Sequence, residues 1–161
     1  MALDIREDDL TGAGIRALIG AHLDHMRRVT PPESVYALDV DRLKVPGVTF
    51  WSAWDGDTLV GCAALREIDP AHGEIKSMHT AAARRGHGIA RRLLAFLITE
   101  ARRRGYRRLS LETGRTEAFE PAQRLYAGAG FTATGPIPGY GPDPHSYFMT
   151  LKLGRGGHAS R

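Results

Sequence analysis

The feature that most restricts the fold is a change of hydrophobic period in mid-chain. VTFWSAW (48–54), TLVGCAAL (58–65) and EIKSMHT (74–80) are strand-like runs, linked by Asp55-Gly56-Asp57 and by DPAHG (69–73). Links that short join antiparallel neighbours and predict a meander. Beyond them, Ile89, Leu93, Phe96, Leu97 and Ala101 recur at helical spacing, and Gly105 closes the run. RRLSLET (107–113) then returns to a strand. Strand, helix and strand in that order predict a parallel pair with a right-handed crossover.

The flanks add to this frame. LDIRE (3–7) reads as a first strand, and Gly14 to Arg28 as a helix carrying Ile15, Leu18, Ile19, Leu23 and Met26 on one face. TPPES (30–34) breaks that helix, and a weaker helical stretch leads to Pro46-Gly47. Pro121 to Ala129 reads as a short helix, FTATGPIPGYGPDP (131–144) as turns, and SYFMTLKL (146–153) as a last strand. The expectation is an α/β chain of the α+β type, one domain over 1–153, with a disordered tail over 154–161. No run of 18 apolar residues is present, and MALDIREDDL lacks the apolar core of a secretory signal. The lone Cys62 excludes an internal disulfide and reads as a core residue. These features point to a cytoplasmic protein with no membrane partner.

Charge is unevenly placed. Arg84 to Arg108 holds nine arginines against Glu100, while the rest of the chain has 13 basic and 17 acidic residues. Arg102, Arg103 and Arg104 read as the solvated face of a helix. Arg84, Arg85, Arg91 and Arg92 instead bracket Gly86 and Gly88 at a strand–loop–helix junction. Free amides and the helix dipole make such a junction an anion site, and glycines let phosphate oxygens approach the backbone. A Walker loop needs G-x-x-x-x-G-K-S/T, which is missing. A dinucleotide fingerprint fails because GHGIAR ends in Arg91.

Arg85-Gly86-His87-Gly88-Ile89-Ala90 instead matches Arg/Gln-x-x-Gly-x-Gly/Ala, the acyl-CoA pyrophosphate turn of the GNAT N-acetyltransferase superfamily. AQRLYAGAGF (122–131) resembles the same family's A-x-x-L-Y-x-x-x-G-F signature. The resemblance runs from Thr49 to Leu153, and LETG…AFEPAQRLYAGAGF…GPDPHSYFM is similar to a bacterial subgroup of acetyltransferases. It implies the GNAT fold: a mixed sheet of about six to seven strands, mostly antiparallel with a splayed parallel pair, flanked by about four helices. It implies acetyl-CoA as co-substrate and no metal. The diphosphate is expected on the amides of Arg85, Gly86, Gly88, Ala90 and Arg91, within a turn that also contains His87 and Ile89. The Arg84, Arg85 and Arg91 side chains are expected to add charge. Met78, His79 and Thr80 are expected to pair through their backbone with the pantetheine arm, completing the splayed edge as an added strand does. The Met78 side chain is expected in the core.

Transfer to an amine needs a base, because deprotonating an alkylammonium of pKa ~10.4 at pH 7 costs roughly 4–5 kcal/mol. Two carboxylates compete for that role. Glu74 matches a glutamate often used as base in the family, with a solvent-facing hairpin residue as the alternative. Glu112 alternates with Leu109 and Leu111, so it faces away from the apolar side of its strand, where burial would raise its pKa. Tyr126, the tyrosine of the signature, is the expected proton donor to the leaving thiolate. The resemblance puts acceptor contacts in His22–Ser34 and Gly135–Ser146, offering Glu33, Tyr36, Tyr140, Asp143 and Ser146 for a small amine, an amino acid or a peptide end. One departure stands out: Phe119 occupies a position that many members fill with a cofactor-contacting asparagine. His22 and His25 are expected to be exposed, His87 an exposed turn residue, and His79 close enough to the thioester to bond an acceptor. The competing expectations are an acyl-CoA sensor without activity and a nucleic-acid module using the arginine-rich helix. The modest net charge of +4 and the lack of interleaved aromatics disfavour the second. A monomer or a homodimer fits equally.

Overall fold

The computed structural model describes residues 2–154. Strands β1 (Leu3–Glu7), β2 (Val48–Asp55), β3 (Thr58–Asp69), β4 (His72–Thr80), β5 (Arg108–Gly114), β6 (Thr132–Thr134) and β7 (Ser146–Lys152) form one sheet in the order β1-β2-β3-β4-β5-β7-β6. β1 to β4 make the antiparallel meander that the short links predict. β4 and β5 are parallel, and β7 pairs antiparallel with both β5 and β6.

The sheet is covered on both faces, which is why its central strands are apolar on consecutive residues rather than on alternate ones. β3 sends Ala63 and Leu65 to one face and Cys62 and Ala64 to the other. The first face packs on α3 (Ile89–Arg103) and α4 (Glu120–Gly128) through Leu93, Leu97, Leu109, Leu111 and Tyr126. The second packs on α1 (Ala13–Val29) and α2 (Val40–Leu43) through Ile15, Ile19, Leu23, Leu43 and Phe50. Each fully buried Leu or Ile among these contributes about 1.5–3 kcal/mol by leaving water. Gly105 ends α3 as expected: the next amide, of Tyr106, bonds back to the Ala101 carbonyl at 3.0 Å.

Three expectations change in detail. The break at TPPES contains a 3₁₀ turn, Pro32–Ser34, and the weaker helical stretch after it is the single turn of α2, capped by the Asp39 carboxylate accepting from the Arg42 amide. The segment read as turns contains β6, a short edge strand with exposed side chains. β4 begins at His72, inside the expected turn. Of the tail, residues 155–161 lie outside the described residues.

What positions the site is the divergence of β4 from β5. Their pairing consists of His72–Arg108, Gly73–Leu109 and Glu74–Ser110. Beyond it β4 stays on β3 as far as Thr80 opposite Gly61, while β5 stays on β7 as far as Gly114 opposite Ser146. Within β4 a bulge sets Ser77 and Met78 between Lys76, which pairs with Ala64, and His79, which pairs with Cys62. Ser77 has φ +53°, in the left-handed region that a non-glycine residue rarely occupies.

Candidate active site

A cavity of about 480 Å³ opens where the strands part. Met78, His79 and Thr80 form one wall, Arg84, Arg85, Gly86 and the stretch from Gly88 to Arg91 the floor, and Phe119, Ala122 and Tyr126 the opposite wall. The floor is the glycine–arginine turn. Gly86 and Gly88 have φ of +82° and +81°, which a side chain would strain, and the space where each Cβ would sit is open. The first intrahelical bond of α3 runs from the Arg92 amide to the Gly88 carbonyl. The N–H groups of Ile89, Ala90 and Arg91 therefore precede the ladder, at the positive end of the helix dipole. Arg85 and Arg91 are exposed beside them, as is His87, whose Nδ1 lies 3.1 Å from the Arg84 carbonyl. Arg84 is less free than expected, because its guanidinium also holds Asp55 at 2.8 Å. Unpaired amides, positive charge and open space fit the diphosphate of acetyl-CoA, and the unpaired edge of β4 fits its pantetheine arm.

A second cavity of about 150 Å³ adjoins the first, and His22, Met26, Met78, Phe119, Ala122 and Tyr126 line both. Met78 therefore packs partly against the core, as expected, and also borders the junction. Tyr126 is 7% exposed, and burial raises its phenol pKa, so the hydroxyl keeps its proton. Among the described residues that hydroxyl has no hydrogen-bond partner. Phe119 lies over Gly114 at the end of β5; a Cβ on Gly114 would be 2.1 Å from the ring.

The expectation of exposed helix histidines is corrected here. His22 and His25 are both at least partly covered, and His22 turns inward, its ring centroid 4.7 Å from that of His79. Burial, with smaller help from neighbouring positive charge, lowers the His22 pKa to about 3 and the His79 pKa to about 4. Both rings are neutral at physiological pH. The reason is helical spacing: His22 falls near the Ile15–Ile19–Met26 face of α1, which packs on the sheet.

In the smaller cavity Glu112 comes from β5 on the face opposite Leu109 and Leu111, as alternation predicts. Burial pushes its pKa up to about 7, although the Ser146 hydroxyl donates to Oε2 at 2.8 Å and Lys76 draws the value down. Glu74 is not a solvent-facing hairpin residue: it is 1% exposed. Arg66 Nε donates to its Oε1 at 2.7 Å and the Tyr140 hydroxyl to its Oε2 at 2.5 Å, with Lys76 Nζ 3.4 Å away. Lys76 in turn donates to the Tyr140 oxygen at 2.6 Å. Asp143 accepts from Tyr36 at 2.6 Å and from Ser34 at 3.0 Å, tying the segment before β7 to the one after α1.

Tyr36 and Tyr140 thus border the small cavity, and Ser146 stands behind Glu112. Glu33 is exposed and lines none of these cavities. Sequence reasoning missed Arg66, Lys76, Ser34 and the inward His22. The Arg66–Glu74 pair was within reach, since the two are register partners across the β3–β4 hairpin.

Comparison with known proteins agrees with this geometry. The model of the acetyltransferase (GNAT) family matches residues 17–131. The chain is 51% identical to the uncharacterized N-acetyltransferase YsnE of Bacillus subtilis over 94% of its own length and 100% of that protein. A crystal structure described as that of an acyl-CoA N-acyltransferase from Klebsiella pneumoniae superposes with a TM-score of 0.76 at 29% identity, covering 94% of this chain and 97% of that one. A GNAT family acetyltransferase from Elizabethkingia anophelis, solved with acetyl-CoA bound, has the same fold at a TM-score of 0.70 and 19% identity, covering 93% of this chain and 97% of that one. The glycine–arginine turn and the parted β4 and β5 fit these likenesses, and the chain belongs to the GNAT family of acetyltransferases.

Proposed function

We propose that this enzyme moves the acetyl group of acetyl-CoA to a primary amine of a small molecule, amino acid or peptide end, by direct attack while both substrates are bound. The reading supposes one domain over 1–153. The observation that carries it is the wall shared by the two cavities, with Tyr126 and His22 bordering each. An acyl group entering from the larger cavity meets a nucleophile entering from the smaller one at that wall.

The thioester supplies an activated acyl group. Glu112, with a pKa of about 7, takes one proton from the incoming ammonium and passes it to solvent. The neutral nitrogen bonds to the carbonyl carbon as the carbon–sulfur bond breaks. Tyr126 gives its proton to the departing sulfur and is reprotonated with the second proton that the nitrogen loses. The third cavity, of about 320 Å³, lies beyond Tyr36, Lys76 and Tyr140 and provides room for the rest of the acceptor. Glu74 is the alternative base, but its two oxygens already accept from Arg66 and Tyr140.

The test is thiol release from acetyl-CoA against a panel of amines, amino acids and peptides, followed by initial-velocity analysis on the best acceptor. Intersecting double-reciprocal lines are expected. Parallel lines would exclude direct transfer. Tight acetyl-CoA binding with no thiol release from any acceptor would make the protein a sensor.

A further inference from the structure

The two cavities on the acceptor side differ in charge. The small one is lined by the carboxylates of Glu74 and Glu112 against the ammonium of Lys76. The third cavity is lined by Arg42, Arg66 and Lys76, and among the described residues Glu74 is its single carboxylate. Tyr36, Glu74, Lys76 and Tyr140 border both, so the two adjoin. The arginines of the third cavity are open to a ligand. Arg66 is a third exposed and lines this cavity but neither of the others. Its Nε holds Glu74 at 2.7 Å and its Nη2 lies 3.3 Å from the Pro138 carbonyl. A Cβ on Gly139, which also lines the cavity, would be 3.7 Å from that Nη2, so the guanidinium head stands at the cavity wall. Arg42 is exposed, and the cap of α2 engages only its backbone. Among the described residues its guanidinium forms no ion pair.

We infer that the acceptor is a zwitterion, a primary amine that also carries an anionic group such as an amino acid's carboxylate, and that Arg42 and Arg66 select that anion. The inference rests on the acetyl transfer proposed above and deepens it. The ammonium end enters the small cavity beside Glu112, and the anionic end lies in the third cavity. Each end then meets opposite charge, whereas the reversed pose sets like charges together at both ends and is disfavoured. The attraction needs no fixed contact, because an anion anywhere in a space of about 320 Å³ lies within the ~8 Å Debye length of its lining. Where contact is made, the flat guanidinium presents paired N–H groups that suit a carboxylate or a phosphonate. Glu74 offsets one positive charge of the three and leaves the rest for the ligand. A neutral amine of the same shape gains nothing from that excess.

The experiment measures kcat/KM by thiol release for amino acids, their amides and their phosphonate analogues. The parent should favour the best amino acid or phosphonate over the matching amide by tenfold or more, and the better of the two names the anion. Arg42→Gln should cut that ratio by about fivefold, and Arg42→Glu should cut it further or reverse it. Differences in amine basicity between acid and amide cancel when variant and parent ratios are compared. Arg66→Lys keeps a charge beside Glu74 but loses the fork, and should lower the ratio severalfold in the folded fraction. Arg102 is exposed on α3 and lines none of the three cavities, so Arg102→Gln should keep the parent ratio. Amides used as well as amino acids by the parent overturn the inference. So does a ratio unchanged in both Arg42→Glu and Arg66→Lys, or one moved as far by Arg102→Gln as by Arg42→Gln. If the parent releases no thiol with any acceptor, acetyl transfer fails as the function. The anion site is then read without turnover, as shifts of the Arg42 and Arg66 Nε–H resonances on adding the same amino acids and amides to the CoA-bound protein. Equal shifts with acids and amides, or none with either, overturn it.

Discussion

The Ser146 hydroxyl donates to Glu112 Oε2 at 2.8 Å, from the first residue of β7 to a carboxylate that burial otherwise drives toward its neutral form. In the proposed mechanism the ionised carboxylate is the base, so kcat/KM should fall as pH drops below about 7. Ser146→Ala removes a donor that favours the charged form, so the acid limb should move to higher pH. Glu112→Gln should abolish the limb and lower kcat at neutral pH by about 10²–10⁴-fold. A pH–rate profile unaltered in both variants would remove Glu112 from the mechanism.

The same carboxyl makes stability depend on pH. Its folded pKa lies above the ordinary 4.5, so between about 4.5 and 7 the unfolded chain loses the proton first and stability declines as pH rises. Glu112→Gln has no charge to bury. Its unfolding free energy should match the parent's near pH 4 and exceed it by about 1–3 kcal/mol at pH 8, by denaturant titration at each pH.

Glu74→Gln should behave differently. It leaves Arg66 and Lys76 facing a neutral amide in a buried setting. Breaking such a network costs about 2–4 kcal/mol, less than a fully buried pair because Arg66 is a third exposed. Chemical denaturation should register that loss, while the folded fraction keeps the acid limb near pH 7. Disappearance of the limb in this variant would return the base to Glu74.

Gly88→Glu places a carboxylate and a strained φ where the diphosphate is expected. Acetyl-CoA affinity by calorimetry should drop by at least a hundredfold, with circular dichroism showing a folded protein. Equal affinity for variant and parent puts the cofactor elsewhere.

Tyr126→Phe retains the ring packed 5.7 Å from Phe131 and deletes a hydroxyl without a partner among the described residues. Tm should hold within a few degrees and acetyl-CoA affinity within a fewfold, while kcat falls about 10²–10⁴-fold. Normal turnover would falsify the acid assignment.

Local periodicity made most of the fold legible. Leu3–Glu7, the meander and the long helix after the glycine turn need only neighbours in sequence, and the two GNAT-like motifs mark where the cofactor is proposed to bind. The acceptor side is harder to read because it is assembled over distance. Tyr140 meets Glu74 from 66 residues away, and Asp143 meets Tyr36 from 107. Neither contact leaves a mark on either segment alone. β6 went unread because three exposed residues carry no alternation, and His22 because a histidine on an apolar helix face looks the same whether it faces water or a cavity.

Phe119 occupies a slot that exists only because Gly114 has no side chain. The two positions are therefore one heritable unit. A lineage that acquires alanine at 114 must surrender the phenylalanine, and one that restores a small polar residue at 119 releases the constraint on 114. Across relatives of this chain the pair should covary, and either substitution made alone should be among the least tolerated on that rim of the sheet.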